Sequence, residues 1–431
     1  MAALGPFEPK PHIAVGVSGG GDSMALIILA ERWARAMGGQ VTALVVNHGL
    51  REHSEVEAAR VGGWLVERGI CYVVLEWWGK KPKSGIQGAA RDARYQLMEQ
   101  WCGDNQVLHL FVGHTRDDQS ETLLMRLQRG SGPEGLAAMS AQRELRRCRL
   151  LRPLLDVPRE ELRKFLREQG QEWLEDPSNH DPRFSRTQAR AALGGDGLRA
   201  KELAQSARRY GLARIVLERE TDRLLARTTR FFEGGYAYVD KKIMAAAPED
   251  IALRALSRVI VAVGGLIHAP VRARVERVHS ELLAAQTAAT TLGHCQLRVN
   301  STRVEIYRER RNLPAPRAFQ AGVSLMWDGR FEIGFGKRPP GLTGSLYLRS
   351  LETLDWRKIL SECLELCCRP AVPSAALAGL SALCDDSGIL TVPHVKYVRG
   401  AGWPAKRHGM GIIKARFMPL RAASDAGFCI A

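Results

Sequence analysis

Over the first half of the chain, short apolar runs alternate with amphipathic stretches of helix length. Ile13 to Val17, Val41 to Val46, Tyr72 to Leu75 and Val107 to Val112 have the length and apolar character of buried strands, and each is followed by polar residues or glycine. Repetition of strand, turn and helix is the pattern of a parallel sheet with crossover helices, because parallel neighbours need a long connection. One helix carries readable ends. Ser54-Glu-Val-Glu57 has the form of a capping box, and Gly69 stands where that helix should stop. This half is expected to be α/β.

From Leu198 to Phe232 the pattern becomes continuously helical, and a second helical block is expected from Pro248 to Ala288. Beyond Thr291 the period shortens to that of strands. Gln296 to Val299 and Arg303 to Tyr307 flank Asn300-Ser301, and Asp328-Gly329 marks another hairpin. A chain of 431 residues is too long for one ordinary core. The changes of period place a catalytic domain at 1–190, a helical domain at 191–292 and a small β-rich domain at 293–431.

Composition adds a partner. With 45% apolar and 25% charged residues the chain is globular, yet its formal charge of +16 exceeds what solubility explains and points to a polyanion. Nucleic acid fits better than a membrane surface. The longest apolar stretch, Ile251 to Ile267, is broken by Arg254 and Arg258 and falls short of the roughly 20 residues a span requires. Met1 to Lys10 lacks the apolar region of a secretory signal, so a cytoplasmic protein is expected. Nine cysteines without a Cys-x-x-Cys pair read as reduced thiols, and Cys363, Cys367 and Cys368 as structural ones. The helical blocks carry Arg208, Arg209, Arg214, Arg254, Arg258, Arg272, Arg274 and Arg277. These form either a solvated face or a surface that tracks phosphates, and the sequence leaves both open.

The candidate chemistry lies after the first strand, in Gly16-Val-Ser-Gly-Gly-Gly-Asp-Ser23. A glycine-rich turn entering a helix presents backbone N–H groups and the positive end of the helix dipole, which suits a phosphate chain. Three templates compete. The Gly-x4-Gly spacing is that of a Walker A loop, but Asp22 stands where the phosphate-binding lysine belongs. A carboxylate beside phosphates is repelled unless a divalent cation bridges them, so Asp22 implies Mg²⁺. Gly16-Val-Ser18-Gly-Gly20 also satisfies the nucleophile elbow, which would make Ser18 an acyl-transfer nucleophile, although that elbow normally follows several strands. A bare connecting turn is the third, and three glycines between Ser18 and Asp22 exceed what a turn needs.

Ser18-Gly19-Gly20-Gly21-Asp22-Ser23 resembles the signature of the N-type ATP pyrophosphatases, the PP-loop superfamily, which cleave ATP between its α and β phosphates. The resemblance extends through Val46-Asn-His-Gly-Leu-Arg51, Gln87-Gly-Ala-Ala-Arg-Asp-Ala-Arg-Tyr95, Gly113-His-Thr-Arg-Asp-Asp-Gln-Ser-Glu-Thr122 and Arg129-Gly-Ser-Gly132. This series, in this order over roughly Ile13 to Arg190, is similar to the tRNA(Ile)-lysidine synthase family. The resemblance implies an α/β PP-loop domain followed by helical and β-rich domains. It also implies a two-step ligase reaction on an isoleucine tRNA with a CAU anticodon: ATP adenylates the C2 oxygen of the wobble cytidine, and the ε-amine of L-lysine then displaces AMP.

On that resemblance Ser18, Gly19, Gly20, Gly21, Asp22 and Ser23 bind ATP, with Asp22 also on Mg²⁺. Arg51 neutralises charge growing on the α-phosphate, and Arg91 and Arg94 form a basic pair on one helix face. Asp118 and Glu121, three apart on one helical face, make a negative site on a positive protein. That site suits a lysine ammonium and the acceptance of its proton. Thr115 and Asp118 equally spell a capping box, so a purely structural Asp118 stays open. His114 and Asp117 join the substrate-binding group through the same motif, and Arg186 and Arg190 through the stretch that begins at Trp173-Leu-Glu-Asp-Pro-Ser-Asn179. Arg143, Arg146, Arg147, Arg149 and Arg152 form a second basic run, expected to meet tRNA.

Other readings are a tRNA thiolation enzyme of the same superfamily, which would need placed cysteines, and a synthetase acting on a small molecule. A serine hydrolase using Ser18 and a non-catalytic RNA-binding protein belong to different classes. The sequence leaves the oligomeric state open, a homodimer included.

Overall fold

The run Ile13 to Val17 forms the strand β1 (His12–Val17), with Ile13, Ala14 and Val15 fully buried, as a strand covered on both faces must be. After it come α1 (Gly21–Ala36), β2 (Gln40–Asn47), α2 (Ser54–Glu67), β3 (Cys71–Glu76), α3 (Ile86–Asp104) and β4 (His109–Val112). Then follow α4 (Arg116–Gln128), the one-turn α5 (Pro133–Leu136), β5 (Gln142–Glu144), β6 (Arg149–Leu151), α6 (Arg159–Glu168), α7 (Ser185–Leu193) and α8 (Gly197–Thr228). This computed structural model describes residues 1–49, 54–79, 81–82, 85–175, 185–193, 197–338, 344–362, 372–400, 412–424 and 427–430. Arg51, Pro177 to Asn179, Arg183 and the cysteines 363, 367 and 368 lie outside the described residues. The chain divides into two units, Met1–Glu218 with Ala426–Ala431, and Arg219–Asp425.

In the first unit the sheet order is β3-β2-β1-β4-β6-β5, parallel except for the edge strand β5. The chain steps outward from β1 to β3, then resumes on the other side of β1 with β4. Open α/β sheets take ligands at such a switch point, outside the carboxyl ends of the strands. Apolar layers cover both faces. Met24, Ile27, Val61, Leu65, Leu162 and Leu166 belong to one, and Met98, Cys102, Val107 and Cys148 to the other. Gly69 ends α2 as its sequence position requires, at φ +68°, with Ile70 N–H donating back to Leu65 O at 2.9 Å.

Residues 428–429 return to this unit. Ala141 N–H donates to Cys429 O at 2.7 Å and Cys429 N–H to Ser140 Oγ at 2.9 Å, beside the edge strand. Phe428 N–H donates to the buried carboxylate of Glu218, which also holds Arg214 at 2.7 Å, and the Arg214 guanidinium lies 4.6 Å from the Phe428 ring centre.

The helical pattern expected to Phe232 stops at Thr228. Thr229–Phe232 pairs instead as β7 with β8 (Tyr236–Asp240), because β-branched and aromatic residues meet the Gly234-Gly235 turn, where Gly235 takes φ +72°. After α9 (Lys241–Ala245), the second helical block is two helices, α10 (Glu249–Gly264) and α11 (Arg272–Ala284), parted at Gly265 with φ +67°. Strands β9 (Ala288–Leu292), β10 (Cys295–Val299) and β11 (Arg303–Arg308) then complete an antiparallel sheet in the order β7-β8-β11-β10-β9. This sheet runs through residue 292, where the pattern changes from helix to strand, since β11 returns to pair with β8. The expected turn at Asn300 is present, its Oδ1 accepting Thr302 N–H and Arg303 N–H.

Two further sheets complete the second unit. One has the order β12 (Arg317–Ala318), β15 (Tyr347–Ser350), β16 (Ser381–Asp385), β17 (Gly388–Val392), β18 (Tyr397–Val398), and the other the order β13 (Ser324–Trp327), β14 (Phe331–Phe335), β19 (Ile412–Phe417). The Asp328-Gly329 hairpin joins β13 to β14, with positive φ at Asp328 and Gly329. Asp328 does more than turn the chain. Its carboxylate accepts Arg308 in a two-pronged pair at 3.0 Å and Arg330 Nε at 2.8 Å, and both guanidiniums are buried. An uncompensated buried charge costs about 3–5 kcal/mol, so Asp328→Asn, which keeps a residue tolerant of positive φ, should destabilise this unit by that order. Urea unfolding followed by circular dichroism should show its transition moving to lower denaturant.

Candidate active site

Ser23 folds the loop after β1 onto itself. Its hydroxyl donates to Gly20 O at 2.9 Å and accepts Ser18 N–H at 3.2 Å, so Gly21 begins α1 with the loop wrapped around the helix start. Gly19 has φ +82°, and a Cβ there would lie 2.6 Å from Leu174 Cδ1 and 2.6 Å from Val61 Cγ2. Leu174 N–H donates to Gly19 O at 2.8 Å, and Trp173 packs 3.6 Å from where a Gly21 Cβ would stand. The Trp173-Leu174 landmark thus clamps the loop from outside. Gly113, after β4, lets the backbone pass close to Asp22, since a Cβ would sit 3.0 Å from Asp22 O. Among the described residues Ser18 Oγ has Ser23 Oγ, at 3.3 Å, as its one side-chain partner, and none of them brings a histidine or carboxylate to it as a hydrolase nucleophile requires.

Asp22, Asp118 and Glu121 converge. Asp118 closes the capping box of α4, its Oδ2 accepting Thr115 N–H at 2.8 Å and Thr115 Oγ1 at 3.1 Å. Its other oxygen faces Arg159, the first residue of α6. Arg159 reaches Asp22 at 3.0 Å, Asp118 at 3.3 Å and Glu121 at 3.5 Å. Asp117 accepts the Arg159 backbone N–H at 2.8 Å, tying α4 to the start of α6. Burial raises the Asp22 pKa, with Arg159 opposing that rise, and the three carboxylates hold Arg159 firmly protonated against its own burial. Arg190, on α7, pairs with Glu121 Oε1 at 2.9 Å. Glu121 is 1% exposed, and its Oε2 is buried with no hydrogen-bond partner among the described residues. A buried, unpartnered carboxylate oxygen is costly unless a ligand completes it.

The basic side of the site lies on α3 and the loops after β2 and β4. Arg94 donates to His48 Nε2 at 3.0 Å, and burial beside Arg94 and Lys81 pushes His48 down to about 4, so its ring is neutral. Arg91 is exposed and lies over Tyr95, 5.3 Å from the ring centre. Arg152 is buried and lowered to about 10 by that burial; its Nε donates to His114 Nδ1 at 3.2 Å, fixing His114 with its proton on Nε2. The Arg186 side chain lies outside the described residues.

Sequence reasoning missed Arg159 and the clamp at Leu174. The signal for Arg159 was its place after Pro158 at a helix start, which names a cap and no partner. The basic runs are also more committed to the protein than their density suggested. Arg149 donates to His109 at 2.8 Å and Arg147 pairs with Asp104 at 2.9 Å, while Arg258 and Arg272 pair with Asp222 and Asp250.

Asp22 uses one oxygen on Arg159, and its other oxygen has no protein partner among the described residues, a hard donor beside a phosphate-binding turn. Among those residues no group of three or more potential ligands encloses a metal. The site therefore fits a cation held by one carboxylate and by phosphate oxygens, as Mg²⁺ commonly is.

A family profile described as a PP-loop domain matches residues 2–195. The tRNA(Ile)-lysidine synthase of Ruegeria pomeroyi is 35% identical over 384 residues, covering 87% of this chain and 90% of that protein. The chain belongs to the tRNA(Ile)-lysidine synthase family. The synthase of Bradyrhizobium diazoefficiens is 40% identical over 279 residues, covering 60% of this chain and 74% of that one. Among solved structures, a U34-tRNA thiolase from Methanococcus maripaludis gives a TM-score of 0.42 at 16% identity over 48% of this chain and 75% of that chain. No helix among the described residues is long and apolar enough to cross a membrane.

Two outcomes check this geometry. Gly19→Ala meets both the strained φ and the Leu174–Val61 contact, about 1–3 kcal/mol together, so ATP affinity should fall at least about fivefold while circular dichroism is unchanged. His48 should stay neutral between pH 8 and 5 in an NMR titration. Because its folded pKa lies below the unfolded value near 6.5, its contribution to stability is complete above about 6.5 and is lost as the pH falls toward 4.

Proposed function

We propose that this chain performs the family's reaction, ATP-dependent attachment of lysine to the wobble cytidine of the CAU-anticodon isoleucine tRNA. The observation that carries the reading is the juxtaposition, at one switch point, of a phosphate-binding loop with a buried acidic pair whose Glu121 Oε2 awaits a donor. ATP lies along Gly19 to Ser23, its phosphates on the N–H groups at the start of α1. Asp22 would hold Mg²⁺ beside the phosphates, and the ion would supply neutralisation of the triphosphate charge.

In the first step the C2 oxygen of cytidine attacks the α-phosphorus. A P–O bond forms, the α–β bridge breaks and pyrophosphate leaves. Arg51, with Arg91 and Arg94 on α3, contributes positive charge where negative charge grows, a frequent large term in phosphoryl chemistry. In the second step the lysine ε-amine, held as ammonium by Glu121 and Asp118, gives a proton to Glu121 and attacks C2. The C–N bond forms and the C–O bond to AMP breaks. Neutral His48 and His114 offer N–H donors without adding charge beside the arginines.

The +16 charge favours tRNA contact. Arg186, the basic helices of 191–292 and the β-rich 293–431 are assigned to tRNA recognition, and the enzyme to the cytoplasm. Arg190 is assigned to the tRNA side of the Glu121 pocket.

Protein incubated with ATP, Mg²⁺, labelled lysine and bulk tRNA should put label into tRNA with release of pyrophosphate. Asp118→Asn and Glu121→Gln should each lower lysine incorporation by at least about 100-fold, the lower range of general-base loss, while tRNA-dependent pyrophosphate release persists. Equal loss of both signals would count against placing lysine at this pair.

A further inference from the structure

A lysine ammonium at Glu121 Oε2 stands beside a cation already held by the same acidic pair. Arg159 Nη2 lies 3.3 Å from Asp118 Oδ1 and Nη1 lies 3.5 Å from Glu121 Oε1, while Nε lies 3.0 Å from Asp22 on the ATP loop. The guanidinium therefore touches the carboxylates assigned to both substrates. Asp118 Oδ2 is taken up by the Thr115 N–H and hydroxyl, and Glu121 Oε1 is shared with Arg190 at 2.9 Å. Like charges beside the same carboxylates repel, so an ammonium at Glu121 Oε2 competes with the guanidinium for the charge of Asp118 and Glu121.

A triphosphate on the loop changes the balance. Guanidinium binds phosphate oxygens in two-pronged pairs that match its planar fork, and the phosphates would arrive beside Asp22, where Nε already rests. The Arg159 backbone is pinned by Asp117 at 2.8 Å at the start of α6, so the side chain can pivot while its Cα stays.

We propose that Arg159 is a positioning residue that couples the two substrates: phosphates on the loop draw its guanidinium toward Asp22, and the positive charge it withdraws from Asp118 and Glu121 leaves that acidic pair able to hold the lysine ammonium. ATP thereby tightens lysine binding and lysine tightens ATP binding by the same factor, as linkage requires. The inference rests on the placing of lysine at Asp118 and Glu121.

The test is equilibrium binding of lysine by calorimetry, in Mg²⁺, with and without α,β-methylene-ATP, which cannot be cleaved at the α–β position. In the native chain the analogue should tighten lysine at least about fivefold, the lower range of allosteric coupling. In Arg159→Gln the two affinities should agree within about twofold. Arg159→Lys, which keeps a charge but loses the fork, should retain less than about threefold and decides the matter if the glutamine variant does not fold. Full coupling in either variant, or none in the native chain, overturns the proposal while leaving lysine at its site. No lysine binding to any of the proteins overturns the placing of lysine and this inference with it. A purely structural Arg159 would lower thermal stability and leave the coupling factor unmoved.

Discussion

Three carboxylates from two helices meet around one guanidinium, and this meeting constrains the ATP-binding unit more than any single apolar contact. Asp22 opens α1, Asp118 and Glu121 face inward from α4, and Arg159 opens α6. Each is half-buried or buried, so none can be left without a partner at small cost. The helices must therefore arrive at the same point of the sheet with their ends aligned. Asp118 serves twice, capping α4 through one oxygen and meeting Arg159 through the other. A cap and a functional carboxylate need not be alternatives, because a carboxylate has two faces.

The fold and the loop were legible because they depend on neighbours in sequence. Strand periodicity, the glycines of the loop, the stop at Gly69 and the two hairpins at Asn300 and Asp328 are local, and each occurs where the pattern puts it. What the pattern hid is long-range. Thr229–Phe232 continues a helical run by composition, yet pairs with a strand that itself pairs with residues some seventy positions on. Arg159 follows a proline in a charged helix and has nothing in its local sequence to announce Asp22, 137 residues earlier.

Charge was legible as a total and not as a distribution. The formal excess of +16 belongs to the whole sequence, but many of the arginines that suggested a phosphate track hold acidic neighbours or backbone carbonyls. Arg152 is the sharpest case, buried beside His114 where density along the sequence suggested an RNA contact. A basic run sets a long-range field whatever each side chain touches, so the partner class can be read from the sum while the contact residues cannot.

The return of residues 428–429 to the edge strand has a consequence for how the molecule is made. The bonds from Ala141 to Cys429, and from Phe428 to Glu218, join positions separated by the whole of the second unit. During vectorial synthesis the ATP-binding unit can assemble its parallel sheet early, since β1 to β6 are complete by residue 151. Its rim cannot close until about two hundred and eighty further residues have been added. Until then the buried Glu218 carboxylate keeps Arg214 and lacks the Phe428 N–H. The sheet edge at Ala141 meanwhile stays open to pairing with other chains, a period of exposure set by the speed of translation.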